Sequence, residues 1–248
     1  MDFYNKMADF YDSVTQENAR QEAAADFVNY LRDNYHIETA LDAACGAGLF
    51  TLALARAEIR AIGLDVSEDL LAIAREKAIA TGLDVQLFCD PMQKSAEVIN
   101  APVDAILCMG NSIPHLLEDQ DLFKTFSEFG QLLKPGAPVV IHLLNYAKVL
   151  SQKERIVGVS KKDNLEFIRF YDFIHKMLRF NLLRIDWSKT PADTNLSSTT
   201  LRPWKVDELL DALKRAGFAE FETFGNLNRG HFDLEESDVL VLIAKKAF

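Results

Sequence analysis

The 248-residue chain is poor in cysteine, with only Cys45, Cys89 and Cys108. These have no CxxC spacing and follow no secretory leader, so we interpret them as buried free thiols in a reducing compartment. We expect neither a disulfide nor a metal site. Long apolar runs are also missing, because no stretch approaches the ~18 residues that span a membrane. We therefore expect a cytoplasmic protein without a membrane partner.

Positive charge is also scarce. The chain has 27 Lys and Arg residues against 37 Asp and Glu residues, which gives a formal net charge of −10. Nucleic-acid-binding proteins usually present a basic surface, and the pairs Lys161-Lys162 and Lys245-Lys246 are too short to form one. This balance argues against a nucleic-acid partner. The apolar content of 49% is sufficient for the core of a globular protein.

The remaining signal centres on two short apolar runs. The first ends in the turn Gly46-x-Gly48 and precedes a predicted helix over 49–56. The second ends in Asp65, 19 residues after Gly46. In a βαβ unit, glycines let the backbone turn sharply beside a ligand, and an acid about 20 residues later accepts hydrogen bonds from ribose hydroxyls.

Two details of this unit argue against a dinucleotide. Thr51 occupies the position where a dinucleotide-binding helix needs a third small residue. The turn carries Asp42 and Cys45 instead of a pyrophosphate-binding pattern. A nicotinamide-dependent oxidoreductase is therefore disfavoured, and a plain tight turn of an α/β protein is the simpler alternative to a cofactor site.

Predicted strands and helices alternate along the chain, which indicates a mostly parallel sheet with helices on both faces. Ligands bind such a sheet at the carboxyl ends of its strands, beside the point where strand order reverses. Gly46, Asp65, Asp90 and 109–111 are expected at this position.

Residues 154–190 instead show the alternation of antiparallel strands. We interpret them as an inserted lid over the acceptor side, the part of the ligand site that would bind a second substrate. The polar stretch 188–200 is predicted to be its mobile connection. The parallel pattern is predicted to resume with a helix over 206–216 and strands over 219–224 and 239–244.

The sequence Leu-Asp-Ala-Ala-Cys-Gly-Ala-Gly at 41–48 resembles motif I of class I S-adenosylmethionine-dependent methyltransferases. A second stretch, 108–116, contains Gly-Asn-Ser-x-x-His-Leu and resembles a segment of glycine and sarcosine N-methyltransferases. The stretch 142–150 is similar to the Asn-Tyr segment that follows the fifth strand of those enzymes. The resemblance covers residues 1–150, and the strand order extends it to the C-terminus.

The resemblance implies a Rossmann-like class I methyltransferase fold of the α/β class. Its seven-stranded, mostly parallel sheet has helices on both faces and an inserted antiparallel β lid. On this expectation residues 1–248 form a single methyltransferase domain. Its parts are an N-terminal cap and helix (1–34), a cofactor-binding core (35–150), the lid (151–200) and the C-terminal completion of the core (201–248).

The resemblance also implies S-adenosyl-L-methionine as the cofactor. Arg20 is expected on its carboxylate and Asp65 on its ribose. Tyr4 and Tyr11 either cover its sulfonium or anchor the first helix to the core. The other expected cofactor contacts are Ala44, Cys45, Gly46, Gly48, Val66, Asp90, Pro91, Met92, Cys108 and Met109.

Three residues are candidates for the reaction centre. His115 follows the fourth predicted strand. There it accepts a proton from an amine or hydroxyl, or orients that group. The alternative is that it caps its own loop. Asn111 contacts a ligand or only its own turn. Tyr146 lines the acceptor pocket or is a packing or surface residue, and the same alternatives apply to His175, Arg202 and Trp204.

Leu144 departs from the pattern of the glycine enzymes, which place an arginine at this point to hold the substrate carboxylate. An apolar side chain cannot make such charge-assisted hydrogen bonds. Glycine is therefore disfavoured as the acceptor unless Arg155, Arg169 or Arg202 replaces the missing arginine. The aromatic lid favours a larger, partly apolar small molecule.

The leading hypothesis is methyl transfer to the amine nitrogen of a small molecule by in-line displacement, for which the protein mainly positions the nucleophile. An oxygen or carbon acceptor is an alternative, because motif I does not select the nucleophile. A non-catalytic regulator that binds S-adenosylmethionine or S-adenosylhomocysteine is another alternative. The sequence is compatible with a homo-oligomer.

Overall fold

The structure, a computed structural model, describes residues 17–248, with side chains from Arg20 onward. Tyr4 and Tyr11 therefore lie outside the described residues. The helices are α1 (Glu17–Tyr35), α2 (Leu49–Arg56), α3 (Glu68–Thr81), α4 (Ser95–Val98), α5 (Asp119–Leu132), α6 (Tyr146–Gln152) and α7 (Val206–Arg215). The strands are β1 (Thr39–Ala43), β2 (Arg60–Asp65), β3 (Val85–Cys89), β4 (Ala105–Cys108), β5 (Pro138–Leu144), β6 (Ile156–Lys162), β7 (Leu165–Ile174), β8 (Met177–Asp186), β9 (Asp193–Leu201), β10 (Phe218–Phe224) and β11 (Val239–Lys246).

The main sheet confirms the predicted α/β fold. Its seven strands have the order β10-β11-β5-β4-β1-β2-β3, and β11 runs antiparallel to both of its neighbours. Strand order reverses between β1 and β4. The carboxyl ends of β1, β2 and β4 therefore meet at the edge where an open α/β sheet binds its ligand.

The sequence predicts a helix with a cap at Ser67 and a glycine stop at Gly82, and helix α3 begins and ends at these positions. Ser67 Oγ accepts a hydrogen bond from the Leu70 amide over 3.3 Å, which caps the first turn. The helix ends at Gly82, whose left-handed φ of 66° is readily available to glycine. Because α3 starts directly after β2, this cap also determines where Asp65 lies relative to the helix.

Both faces of the main sheet are covered, which explains why β1, β4 and β5 are apolar almost throughout instead of alternating. On one face, α1 contributes the buried side chains of Phe27 and Leu31. On the other face, α5 contributes those of Phe126 and Phe129. This two-sided packing positions the strand ends that carry the site.

A second sheet, with the order β6-β7-β8-β9, is antiparallel and lies between α6 and α7 in the chain. The predicted antiparallel insertion is therefore confirmed. The prediction of a connection over 188–200 is wrong, because most of this stretch belongs to β9, which pairs with β8 from Asp193 to Leu201. Its Ser- and Thr-rich sequence has no continuous apolar face, since an edge strand with one exposed side does not need one.

The expectation of three buried cysteines is wrong for Cys89, which is exposed at the end of the edge strand β3. Cys45 and Cys108 are buried, and all three are free thiols. Within residues 17–248, no group of three His, Cys, Asp or Glu side chains is placed to hold a metal ion. No helix in the same range is long and apolar enough to cross a membrane.

Candidate active site

The turn after β1 contains three residues in left-handed conformations. Ala44, Gly46 and Gly48 have φ angles of 62°, 53° and 84°. This region is strained for a residue with a side chain, so the surroundings of Ala44 must hold it. The amide of Cys45 donates to the Leu64 carbonyl over 3.0 Å, which fastens the turn to the end of β2.

Asp65 ends β2 and joins this turn to helix α3. Its Oδ2 atom accepts a hydrogen bond from the Gly46 amide (2.8 Å), and its Oδ1 atom accepts one from the Ser67 amide (2.9 Å). Burial raises the pKa of this carboxyl group, and the backbone donors act in the opposite direction. Each carboxylate oxygen can accept more than one hydrogen bond, so the group retains acceptor capacity for hydroxyl donors.

Asp42 is the second acid of the site, and only 2% of it is exposed. Thr51 Oγ1, on α2, donates a hydrogen bond to Asp42 Oδ2 over 2.7 Å. Burial raises the pKa of Asp42 to about 7, and the Asp65 charge acts in the same direction. The threonine that distinguishes this turn from a dinucleotide site therefore holds a buried carboxyl group.

We expect Asp42→Asn to stabilise the cofactor-free protein at pH 8 by a few kcal/mol and to have a smaller effect at pH 5. The unfolded chain loses the Asp42 proton near its ordinary pKa of 3.8, whereas the folded protein keeps it until about pH 7. The contribution of Asp42 to the free energy of unfolding is therefore present at low pH and is lost between about pH 4 and 7. Asparagine cannot ionise, yet it can still accept the Thr51 hydrogen bond.

Urea denaturation of parent and variant at both pH values measures this difference. The exposed Asp69→Asn, in the first turn of α3, is the matched control and should show no such pH dependence. Equal stability of Asp42→Asn and the parent at pH 5 and at pH 8 would contradict the raised pKa.

A cavity of about 480 Å³ opens at the carboxyl ends of β1, β2 and β4, and this size is typical of small-molecule sites. His115 lines this cavity. The structure thereby brings the candidate reaction-centre histidine together with most of the expected cofactor residues. Those lining the cavity are Arg20, Ala44, Cys45, Gly46, Asp65, Val66, Asp90, Pro91, Met92 and Met109.

Gly48 and Cys108, two other expected cofactor residues, are not among the residues that line the cavity. Gly48 lies against Ala74 of helix α3. Cys108 is fully buried behind Met92, with 4.0 Å between the two sulfur atoms. Both residues therefore pack against residues that surround the cavity and do not line it themselves.

Asn111 and Tyr146 also do not line the cavity, and they hydrogen-bond to each other. The Tyr146 hydroxyl lies 3.0 Å from Asn111 Nδ2 and 3.1 Å from Asn111 Oδ1. Asn111 Oδ1 also accepts the amide of Leu144 over 3.0 Å. These contacts tie the loop after β4 to the end of β5 and the start of α6.

His175, Arg202 and Trp204, considered for the acceptor pocket, do not line this cavity either. His175 is exposed in the turn between β7 and β8. The Arg202 guanidinium stacks 3.5 Å above the Trp204 ring, and the Trp204 indole donates to the Leu116 carbonyl over 2.8 Å. Arg202 and Trp204 thus brace the segment that follows His115.

Thr199 is the cavity-lining residue that sequence reasoning missed most clearly, because its strand was assigned to a connection. Residues 193–201 show no alternation of apolar and polar residues that could have indicated a strand. Several other lining residues adjoin predicted ones, and extending each motif by one or two positions would have found them. They include Leu49, Leu64, Ser67, Gln93 and Leu116.

Fold and cavity together define a Rossmann-like α/β protein with a ligand site at its topological switch point. The methyltransferase domain family matches residues 40–136. A protein of Geobacillus sp. (strain WCH70) that carries a methyltransferase assignment is 32% identical over 168 residues, which are 66% of this chain and 67% of that protein. The chain belongs to the class I S-adenosylmethionine-dependent methyltransferases.

Two further similarities extend over the whole chain. The glycine/sarcosine/dimethylglycine N-methyltransferase of Actinopolyspora halophila is 24% identical over 254 residues, and the match covers 100% of this chain and 43% of that protein. This chain therefore spans less than half of that relative's length. The crystal structure of an S-adenosylmethionine-dependent methyltransferase from Clostridium acetobutylicum ATCC 824 has the same fold, with a TM-score of 0.84 at 19% identity over 99% of both chains.

The cavity residues fit S-adenosylmethionine. Its methionine part carries a carboxylate and an amino group, and Arg20 and Asp42 bring charges of opposite sign to the cavity. Asp65 offers free acceptor capacity for ribose hydroxyls, and the apolar side chains of Pro91 and Met92 border the same space. Both the charges and the hydrogen-bonding groups therefore suit this cofactor.

Proposed function

We propose that the protein transfers the methyl group of S-adenosylmethionine to an amine nitrogen of a small molecule. The relative from Actinopolyspora halophila, an N-methyltransferase, supports the amine. His115 shares a cavity with the cofactor residues, and the lid reaches the same cavity through Thr199, which supports an acceptor bound in that cavity. The acidic balance of the chain supports a small acceptor over a nucleic acid.

His115 carries the proposal. It ends a short 3₁₀ helix, Ile113–His115, that follows β4 and turns toward the switch point. Burial lowers the pKa of His115 to about 4, so the imidazole is neutral at pH 7 and offers a nitrogen that accepts a hydrogen bond from an amine N–H. A group with so low a pKa is a weak base, so His115 orients the nucleophile rather than taking its proton.

S-adenosylmethionine, when bound, supplies a methyl group already activated by a positively charged sulfur. The task of the protein is therefore positioning, which can lower the barrier strongly without a general base. Asp65 would hold the ribose, Arg20 the carboxylate and Asp42 the amino group of the cofactor. His115 would hold the acceptor nitrogen, and Thr199 brings the lid close enough to limit the access of water.

The direct test uses purified protein, S-adenosylmethionine labelled in the methyl group, and a fractionated extract of the source cell. We expect label in a small-molecule fraction, in which mass spectrometry then identifies an N-methyl product. Label on oxygen or carbon would overturn the amine, and label in RNA or protein would overturn the small-molecule acceptor. Cofactor binding without any transfer would favour the regulator.

We expect His115→Ala to lower kcat/KM for methyl transfer about 10- to 100-fold through loss of acceptor orientation, with no change in S-adenosylhomocysteine affinity. Steady-state kinetics and calorimetric titration measure the two quantities. His36→Gln is the matched control, because His36 is exposed just before β1, at the end of that strand opposite the cavity. Full activity of His115→Ala would remove His115 from the reaction centre.

A further inference from the structure

The second sheet, β6–β9, forms the predicted lid. One face of it is directed toward the cofactor cavity, and we call this the inner face. Thr199 of β9 lines that cavity, and it pairs in register with Phe180 of β8, which pairs with Tyr171 of β7. Directly paired residues of antiparallel strands lie on the same face of a sheet, as do residues two apart along a strand. Arg169 therefore shares this inner face with Thr199, as does its register partner on β6, Gly158.

The inner face carries a guanidinium without an acidic partner. Arg155 pairs with Asp172, and Arg202 pairs with Asp119. Within residues 17–248, by contrast, the guanidinium of Arg169 has no hydrogen-bond or ion-pair partner, and its Nε atom is completely buried. Of the three arginines that could replace the missing carboxylate ligand at position 144, Arg169 is thus the one left available.

A second orphaned donor lies beside it. Ser160 is two residues after Gly158 on β6 and shares the inner face, and its hydroxyl oxygen is buried without a partner in the described part of the chain. Tyr171, two residues after Arg169, is buried too. Burial raises the pKa of Tyr171 to about 12, while the Arg169 charge acts in the opposite direction. The phenol therefore stays protonated and able to donate a hydrogen bond near the guanidinium.

Gly158 provides the space for the guanidinium. A Cβ atom at this position would lie 2.6 Å from an Nη atom of Arg169 and 3.3 Å from its Cζ atom. Any side chain at 158 would therefore displace the end of Arg169. Buried donors without acceptors are normally avoided in proteins, so this arrangement resembles a site built for a ligand rather than a structural contact.

We infer that Arg169, with Ser160 and Tyr171, binds an anionic group of the methyl acceptor, either a carboxylate or a phosphate. A guanidinium is suited to both because it presents parallel N–H donors to paired oxygen atoms. This inference rests on the proposed function, in which the lid covers the acceptor side. It adds the substrate class: a small amine that also carries an anion.

Strand register sets the spacing between Arg169 and Thr199, the lid residue that lines the cavity. Arg169 lies two strands and two residues from Thr199, which places their Cα atoms roughly 12 Å apart from standard strand spacings. The intervening part of the acceptor would pack against the aromatic side chains of the inner face, such as Phe180 and Tyr171.

Binding of inorganic phosphate and of acetate tests the site without knowledge of the acceptor. Thermal unfolding of the S-adenosylhomocysteine complex is followed during titration with each anion, with chloride keeping the ionic strength constant. We expect a saturable rise in melting temperature for at least one anion. The anion that binds with the higher apparent affinity indicates the natural group. Arg169→Gln should weaken the apparent affinity at least 10-fold.

Two further variants complete the design. Gly158→Ala retains the arginine but displaces its end, so it should cause a similar loss of anion affinity. Arg155→Gln should bind the anions as tightly as the parent does. Replacement of a structural arginine would destabilise the protein, but replacement of this unpaired one should leave the anion-free melting temperature unchanged or raise it. No anion-dependent stabilisation of the parent, or stabilisation that persists in Arg169→Gln, overturns the inference.

The outcome is separable from that of the proposed function. Anion binding at Arg169 does not require methyl transfer, so it can succeed where the labelling experiment fails. Conversely, a labelled small-molecule amine that carries no anionic group would support the proposed function and overturn this inference. For an acceptor with such a group, Arg169→Gln should raise its KM at least 10-fold and leave that of S-adenosylmethionine unchanged.

Discussion

Replacement of Asp65 by alanine is expected to weaken the binding of S-adenosylhomocysteine about 10- to 100-fold, because ribose hydroxyls would lose their charged acceptor. A second effect acts in the same direction. Asp65 accepts the amides of Gly46 and Ser67, so its loss also frees the turn that lines the cavity. Calorimetric titration of the purified variant measures the affinity.

The exposed Asp69→Ala serves as the control for this variant, because it removes a nearby negative charge without altering a cavity residue. It should bind as tightly as the parent. Circular dichroism establishes that Asp65→Ala is folded before its affinity is compared. A folded Asp65→Ala with unchanged affinity would exclude Asp65 from the cofactor site.

Gly48→Ala is expected to lower the free energy of unfolding by about 2–4 kcal/mol, the largest destabilisation we predict. The φ angle of 84° at this position is strained for alanine, and the new Cβ atom would lie 2.9 Å from the Cβ atom of Ala74. That neighbour is attached directly to the backbone of α3, so no side-chain rotation relieves the contact. Helix α3 or the turn has to move, and urea denaturation measures the result.

Gly82→Ala separates the two causes. Gly82 also has a left-handed φ, of 66°, but a Cβ atom there would meet nothing within 4 Å. It should cost only about 1 kcal/mol, from backbone strain alone. The double variant Gly48→Ala/Ala74→Gly should recover part of the loss through removal of the close contact. If Gly48→Ala and Gly82→Ala are equally destabilised, the packing against Ala74 is not the cause.

The elements nearest motif I could be predicted from sequence because their signals are local. Helix α2 has the predicted bounds, Leu49–Arg56, and the predicted cap and stop of α3 are found at Ser67 and Gly82. Side-chain caps, glycine stops and alternating patterns act within a few residues. Asp65 could be identified as a candidate for the same reason, since its position after β2 follows from the length of one βαβ unit.

Features that depend on distant parts of the chain were not predictable in this way. Strand β9 contains no apolar face and is recognisable only through its pairing with β8. The exposure of Cys89 depends on β3 being an edge strand, which is a property of the whole sheet. Asn111 and Tyr146 were expected at the reaction centre, but their mutual hydrogen bond across 35 positions of the chain could be seen only in the structure.

The fold class, the cofactor class and the strand ends that carry the site could be read from local patterns, namely the alternation of strands and helices and the turn and acid of the first βαβ unit. The tertiary structure was needed to show which of these residues share one cavity. It also decided that Thr199 reaches that cavity and that Arg169, unlike Arg155 and Arg202, has no acidic partner among the described residues. The physical reason is that burial, pairing and charge compensation are set by strand register and packing between segments far apart in the chain.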